Sequence, residues 1–171
     1  MTQEAGRHTS LTFTTRLRPG GSLWLRTLFG AARHLRWVTA PLVRLDFIHF
    51  ARWTVLPDRR LLFESDFDGS LPMYIDTFAD VVAWRMKGTW STSYGYPGLI
   101  PTDVFYEWVT TQEATPGYYY AAYPAASTAM VGRALALQER LRELQARAPE
   151  LDDETFAEAY DTFLTEVQQW L

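Results

Sequence analysis

Two runs with strand character, about Val43–Leu56 and Leu61–Phe67, are separated by Pro57-Asp-Arg-Arg60 alone. A connection this short cannot carry a crossover, so the two runs must pair antiparallel as a hairpin. Its register decides which side chains share a face, because a slip of one residue turns a whole strand over. With Leu56 opposite Leu61, one face carries Ile48, Phe50, Thr54, Leu56, Leu61, Phe63 and Phe67, and the other carries His49, Ala51, Trp53, Leu62, Glu64, Asp66 and Asp68. In that register Ala51 faces Asp66, His49 faces Asp68, and His49 and Asp66 form a diagonal pair. The slipped register instead sets Arg52 opposite Glu64 and Phe50 opposite Asp66. Grouping of apolar residues favours the first, which places Arg52 on the helix-covered face.

The flanking sequence supplies the other elements. Leu11–Leu17 alternates apolar and polar residues as a strand, and Arg18-Pro-Gly-Gly21 stops it. Ser22 is expected to cap a helix to about Trp37, with Leu25, Leu28, Phe29, Ala32 and Leu35 on its apolar face. Ser70 caps a second helix, with Pro72 in its first turn and Leu71, Tyr74, Ile75, Phe78, Val81 and Val82 on the buried side. A short helix spans Thr102–Thr111, and Gly117–Tyr123 reads as a fourth strand stopped by Pro124. Ser127 caps a long helix to about Ala148. Asp152 caps a last one, whose stripe is Phe156, Tyr160, Phe163, Val167 and Leu171.

Composition narrows the function. The aromatic share is 15%, with seven Trp, too apolar for a disordered chain. No run approaches the ~20 apolar residues of a membrane span, and the polar Met1–Ser10 has no signal-peptide core, so a cytoplasmic location and no membrane partner are expected. Cys is absent, which removes disulfides, thiolate nucleophiles and Cys-based metal sites. With only His8, His34 and His49, no multi-His metal site is expected, and the metal assignment is none. Up to Arg60 ten Arg face three carboxylates, whereas six basic residues face seventeen acidic ones thereafter, for a net charge of −4. Nucleic-acid binding wants a basic domain and is rejected.

The expected fold is therefore α+β. Residues 1–9 are a flexible tail and 10–171 a single domain of order β-α-β-β-α-β, the ferredoxin-like arrangement, with two additional C-terminal helices from about residue 125. Through His49-Phe-Ala-Arg-Trp53, Leu61-Leu-Phe-Glu-Ser-Asp-Phe-Asp-Gly69 and Tyr118-Tyr-Tyr-Ala-Ala-Tyr-Pro124, over roughly residues 10–124, the chain resembles the dimeric α+β-barrel superfamily in topology. That resemblance implies two sheets paired face to face in a homodimer. It also implies small polyketide cyclases, cofactor-independent monooxygenases and haem-binding peroxidase-like branches as functional relatives. Symmetric pairing is expected independently from an apolar uncovered sheet face holding Trp53, Leu62 and several Tyr.

The leading functional expectation is a biosynthetic enzyme, a cyclase, isomerase or monooxygenase, acting without cofactor on an apolar aromatic or polyketide-like small molecule. His49 beside Asp66 is the candidate general base, since a carboxylate fixes the imidazole tautomer and supports its charged form. Glu64 and Tyr120 complete the catalytic set, the phenol to polarise a carbonyl. Trp53, Arg52, Tyr118, Trp90 and Tyr96 are the expected substrate contacts, with Gly95-Tyr-Pro-Gly98 a rigid loop over the cavity mouth. Haem is the alternative cofactor, with His49 or His34 as its proximal ligand and Arg52 beside it. A non-catalytic interaction or accessory protein is the third reading. Asp66-Phe-Asp68-Gly69 opens like a calcium loop but lacks the later ligands.

Overall fold

The computed structural model describes residues 3–5, 8–35, 45–115 and 117–168. It divides into two compact units, Met1–Ala125 and Ala126–Leu171. The first is an α+β unit. Its strands are β1 (Gln3–Ala5), β2 (His8–Arg16), β3 (Ile48–Val55) and β4 (Arg60–Asp68), all antiparallel, in the order β1-β2-β4-β3. Its helices are α1 (Gly21–Ala32), α2 (Leu71–Trp90) and α3 (Thr102–Thr111). Among the described residues no helix is long and apolar enough to cross a membrane.

One side of the sheet is buried. Leu11 and Phe13 of β2 alternate with half-exposed Thr12 and Thr14, and Leu61, Phe63 and Phe67 of β4 alternate with Leu62, Glu64 and Asp66. The buried set meets Leu71, Tyr74, Ile75, Phe78 and Val82 of α2 in one core. Rings dominate it: Phe13 lies 5.2 Å from Phe63 and 4.9 Å from Trp90, and Phe67 stacks on Tyr74 at 4.0 Å. Such pairs add to the area term because ring edges and faces attract. The apolar periodicity of α2 thus meets the two-residue periodicity of the strands, as its sequence requires.

The β3–β4 register corrects the preferred expectation. Val55 pairs with Leu61, Trp53 with Phe63, Arg52 with Glu64 and Phe50 with Asp66, which is the slipped arrangement. The reason lies in the turn. The Leu56 amide donates to the Arg60 carbonyl at 2.8 Å, so the loop is Pro57-Asp58-Arg59, with Arg59 at φ 59° in the left-handed region. Three-residue hairpin loops ending in a left-handed residue are a favoured geometry. That position is normally marked by Gly or Asn, and Arg carries no such signal. Consequently Ala51, Trp53 and Val55 turn toward the helices, and Arg52 goes to the open face.

A bulge then intervenes between Ile48 and Phe50, so that Ile48 pairs with Phe67. Continued without interruption, the slipped ladder would have driven His49 under the helices and Ile48 into the open. The bulge reverses both, and Ile48 packs against the core.

Three further expectations are corrected. Gly117–Tyr123 is not a strand. The β2 edge it would have joined is instead paired with β1 through Ser10–Gln3, bridged to Glu113 at Phe13 and bridged to Ser93 at Leu17. Even-numbered residues of β2 aim their backbone groups at this edge, and these three short segments saturate them, leaving the Tyr-rich run no ladder to join. Second, residues 3–5 and 8–9, expected in a loose tail, are strand, and His8 and Thr9 are buried. Backbone pairing holds this segment without the apolar alternation that would have announced it. Third, α1 has Gly20 (φ 81°) at its N-cap rather than Ser22 and ends at Ala32, short of Trp37, which lies outside the described residues. Residues 43–44 of the expected strand also lie outside them. Gly69 (φ 93°) links β4 to α2 where a Cβ would collide with Met73.

The second unit holds α4 (Thr128–Arg147), a 3₁₀ turn (Ala148–Glu150) and α5 (Asp153–Val167). The Ser127 hydroxyl accepts from the Met130 amide and the Asp152 carboxylate from the Thr155 amide, the two caps expected from sequence. Phe156, Tyr160 and Phe163 stack in succession at 6.2 Å along α5. Of the expected stripe, Val167 is buried, Phe156 and Tyr160 are exposed, and Leu171 lies outside the described residues.

The turn geometry is testable by urea denaturation. Arg59→Gly is expected to be tolerated without loss, because Gly adopts the left-handed region freely. A β-branched residue there pays the left-handed penalty, so Arg59→Val is expected to lose about 1–2 kcal/mol.

Candidate functional site

The open face of the sheet presents His8, Ser10, Thr12 and Thr14 from β2, Glu64, Asp66 and Asp68 from β4, and His49, Arg52 and Thr54 from β3. Half-exposed Leu62 and exposed Phe50 lie on the same face, so its composition is mostly but not wholly polar. Of the apolar residues expected there, Leu62 is on this face and Trp53 is on the other side.

Where β2, β3 and β4 meet at one end of the sheet, three ionisable groups converge. Asp68 Oδ1 lies 3.0 Å from His49 Nε2 and 3.3 Å from His8 Nδ1. The two imidazoles meet edge to face with centroids 4.1 Å apart. His8 Nε2 lies 3.3 Å from the backbone carbonyl of Tyr123. His8 is buried with 7% of its side chain exposed, Asp68 is half-buried, and His49 stands at the exposed edge of the cluster. His49 is therefore held by a carboxylate, but by Asp68 rather than by Asp66. Pairing of β2 with β4 sets His8, expected in a tail, opposite Asp68, so two imidazoles and one carboxylate stand together as a group that could hold a metal ion.

Asp66 has a different partner. The Tyr119 hydroxyl donates to its Oδ2 at 3.2 Å, so the chain after Ala114 touches the open face here and at His8 without joining the sheet. Asp66 Oδ1 is buried and has no hydrogen-bond partner among the described residues. Burial, reinforced by the negative charge of Asp66 and by the hydrogen bond to it, raises the pKa of the Tyr119 phenol above its ordinary value. Tyr118 and Tyr120 are 83% and 73% exposed, away from any cluster. Arg52 donates through Nε to Glu64 Oε2 at 2.9 Å as an exposed cross-strand pair, worth at most about 1 kcal/mol.

The remaining expected contacts sit apart. Trp90 is a core residue, 5.5 Å from Phe63 and 6.1 Å from Trp108. Tyr96 packs on Trp108 and Phe105 at 5.7 and 6.1 Å, so its loop rests on α3 and covers no cavity beside His49. Burial raises the Tyr96 pKa. His34 is exposed in the turn after α1. Thus His49, Asp66, Glu64 and Arg52 share one face, while Trp53, Trp90 and Tyr96 do not reach it.

On the helix side lies a cleft of about 590 Å³ between α1 and α2. Leu28, Phe29 and Ala32 of α1 and Trp84, Met86 and Gly88 of α2 line it, with Trp53 of β3 and Trp24 also contributing rings. Its walls are almost wholly apolar, and Arg33 and Arg85 stand among the lining residues. The Trp24 indole donates to the Gly88 carbonyl at 2.9 Å, tying the two helices together. Arg85 lies over the Trp84 ring at 4.2 Å. The cleft explains why only part of the α1 stripe is buried: Leu25 enters the core, whereas Leu28, Phe29 and Ala32 remain half-covered at its edge. That stripe was the available sequence signal, although a core-facing helix carries the same pattern.

No protein-family model, curated protein or solved structure matches the chain.

Ultraviolet titration of tyrosine tests the Asp66–Tyr119 contact. Asp66→Asn removes a charge that favours the protonated phenol, so the Tyr119 pKa is expected to fall toward its ordinary value. The stability this contact contributes is present below about pH 10 and is lost as pH rises through the raised pKa; Asp66→Asn should reduce that alkaline loss.

Proposed function

We propose that this chain binds an apolar, ring-containing small molecule in the α1–α2 cleft. The observation that carries the reading is the cleft's size and lining: about 590 Å³, walled by three Trp, Phe29, Leu28 and Met86. Small-molecule sites run from roughly 300 to 1,000 Å³ and are mostly apolar, with a few polar groups for orientation. Trp24 is 52% exposed, so part of its ring surface is accessible to a ligand. Arg33 offers a guanidinium to a carboxylate or other anionic end of the ligand. The ligand class remains the aromatic or polyketide-like one expected from sequence.

Binding, rather than acid–base turnover, is the function this geometry favours. The His49 cluster lies on the opposite face of the sheet from the cleft, so its imidazoles do not reach a molecule held there. A haem on His49 would need an apolar slot on that polar face. The accompanying fold reading is a ferredoxin-like unit in which short segments replace the fourth strand. It is supported by the succession β2-α1-β3-β4-α2 and by the order β2-β4-β3.

Titration of the full chain with an anionic aromatic fluorophore such as anilinonaphthalene sulfonate provides the test. Saturable one-to-one binding with quenching of Trp emission is expected. Leu28→Arg sets a charge in the apolar wall and should weaken binding at least ~10-fold while near-ultraviolet circular dichroism is retained. Absence of saturable binding, or undiminished binding in a folded Leu28→Arg variant, would overturn the proposal.

A further inference from the structure

We propose that His8, His49 and Asp68 form a site for a divalent transition-metal ion of the zinc type. The argument begins with hydrogen-bond roles. The Tyr123 carbonyl, 3.3 Å from His8 Nε2, can only accept, which favours the tautomer with the hydrogen on that nitrogen. In the neutral ring, Nδ1 is then a bare lone pair, and it faces Asp68 Oδ1 at 3.3 Å. Two acceptors turned toward each other require something electron-poor between them, either a second ring proton or a cation.

The geometry points to the cation. A tetrahedral ion bound at about 2.0–2.1 Å has ligands about 3.3 Å apart. Asp68 Oδ1 already stands 3.3 Å from His8 Nδ1 and 3.0 Å from His49 Nε2. The three residues offer ligand atoms that all lie within 4.8 Å of one another. The carbonyl on the far nitrogen of His8 is the outer-sphere partner that metal-bound imidazoles characteristically hold, since it selects the tautomer. The chain also spends a bulge on the arrangement, because without it His49 would point beneath the helices.

Two imidazoles and one carboxylate suit zinc, cobalt or nickel rather than calcium or magnesium, which take oxygen sets. Three protein ligands leave a position for water or an exogenous donor. The ligands come from the start of β2, the bulge of β3 and the end of β4, so the ion would also clasp three strands.

The experiment uses the full chain without an added His tag, stripped of metal and dialysed against Zn²⁺ or Co²⁺. One bound ion per chain, a rise in melting temperature with Zn²⁺ and a visible ligand-field band with Co²⁺ are expected. His49→Gln and Asp68→Asn should each weaken Zn²⁺ binding by more than the ~10–100-fold typical of losing an outer-sphere partner. His34→Gln, which removes the remaining His, should change nothing. The proposal fails if the wild-type chain takes up no stoichiometric Zn²⁺ or Co²⁺, a result independent of how the variants fold. It fails equally if binding survives His49→Gln and Asp68→Asn. It fails, too, if ring-nitrogen NMR shows His8 doubly protonated with Zn²⁺ present, since the proton would then occupy the place of the ion.

Discussion

Pairing between β3 and β4 governs what each face of this sheet can do. From Val55 to Phe50 the ladder keeps one register, directing Trp53 toward the helices and Arg52 toward Glu64. At His49 an extra residue breaks it, and the sense of every side chain before that point reverses. Both outcomes are energetically sensible. Ile48 reaches the core, while the imidazole escapes burial among Phe67, Tyr74 and their neighbours, where a polar ring without a partner would cost roughly 1–3 kcal/mol. The same displacement sets His49 beside Asp68. One irregularity thus separates an apolar face from a polar one and assembles the His–Asp–His cluster.

The aromatic residues divide between two tasks. Phe13, Phe63, Phe67, Tyr74, Trp90 and Trp108 are buried and make the core. Tyr74 is entirely enclosed, and burial drives its phenol far above the ordinary pKa, so it stays protonated as a core residue. Trp24 and Trp84 are more than half exposed and define the rim of the α1–α2 cleft, with Trp53 bridging the two sets at 5.0 Å from Phe63 and 6.4 Å from Phe29. A rigid floor beneath accessible rings is what a small apolar ligand needs, because the protein side of the site is then already ordered.

Local signals are legible in this sequence. Thr102–Thr111 is helical over its expected span, Ser127 and Asp152 cap the helices they precede, and the α2 stripe faces the sheet. Each depends on residues within a turn or two of one another. Gly117–Tyr123 and the segment around His8 lack that property. Gly117–Tyr123 has every mark of a strand, but the edge it would join was taken by residues 3–5, 93 and 113. His8 sits in a polar stretch with no periodicity, and only its pairing opposite Asp68 gives it a role.

From the sequence alone came the antiparallel hairpin, the helices and their caps, the apolar stripes and a Cys-free α+β chain. The short connection at Pro57, the cap residues and the two periodicities act locally, so they needed no partner to be legible. Only the tertiary structure decided the hairpin register, the bulge at His49, the meeting of His8 with Asp68 and the opening of the cleft between α1 and α2. These depend on which side chains lie across from one another at long separation. An Arg in a left-handed turn position, carrying no sequence signal, was enough to turn β3 over.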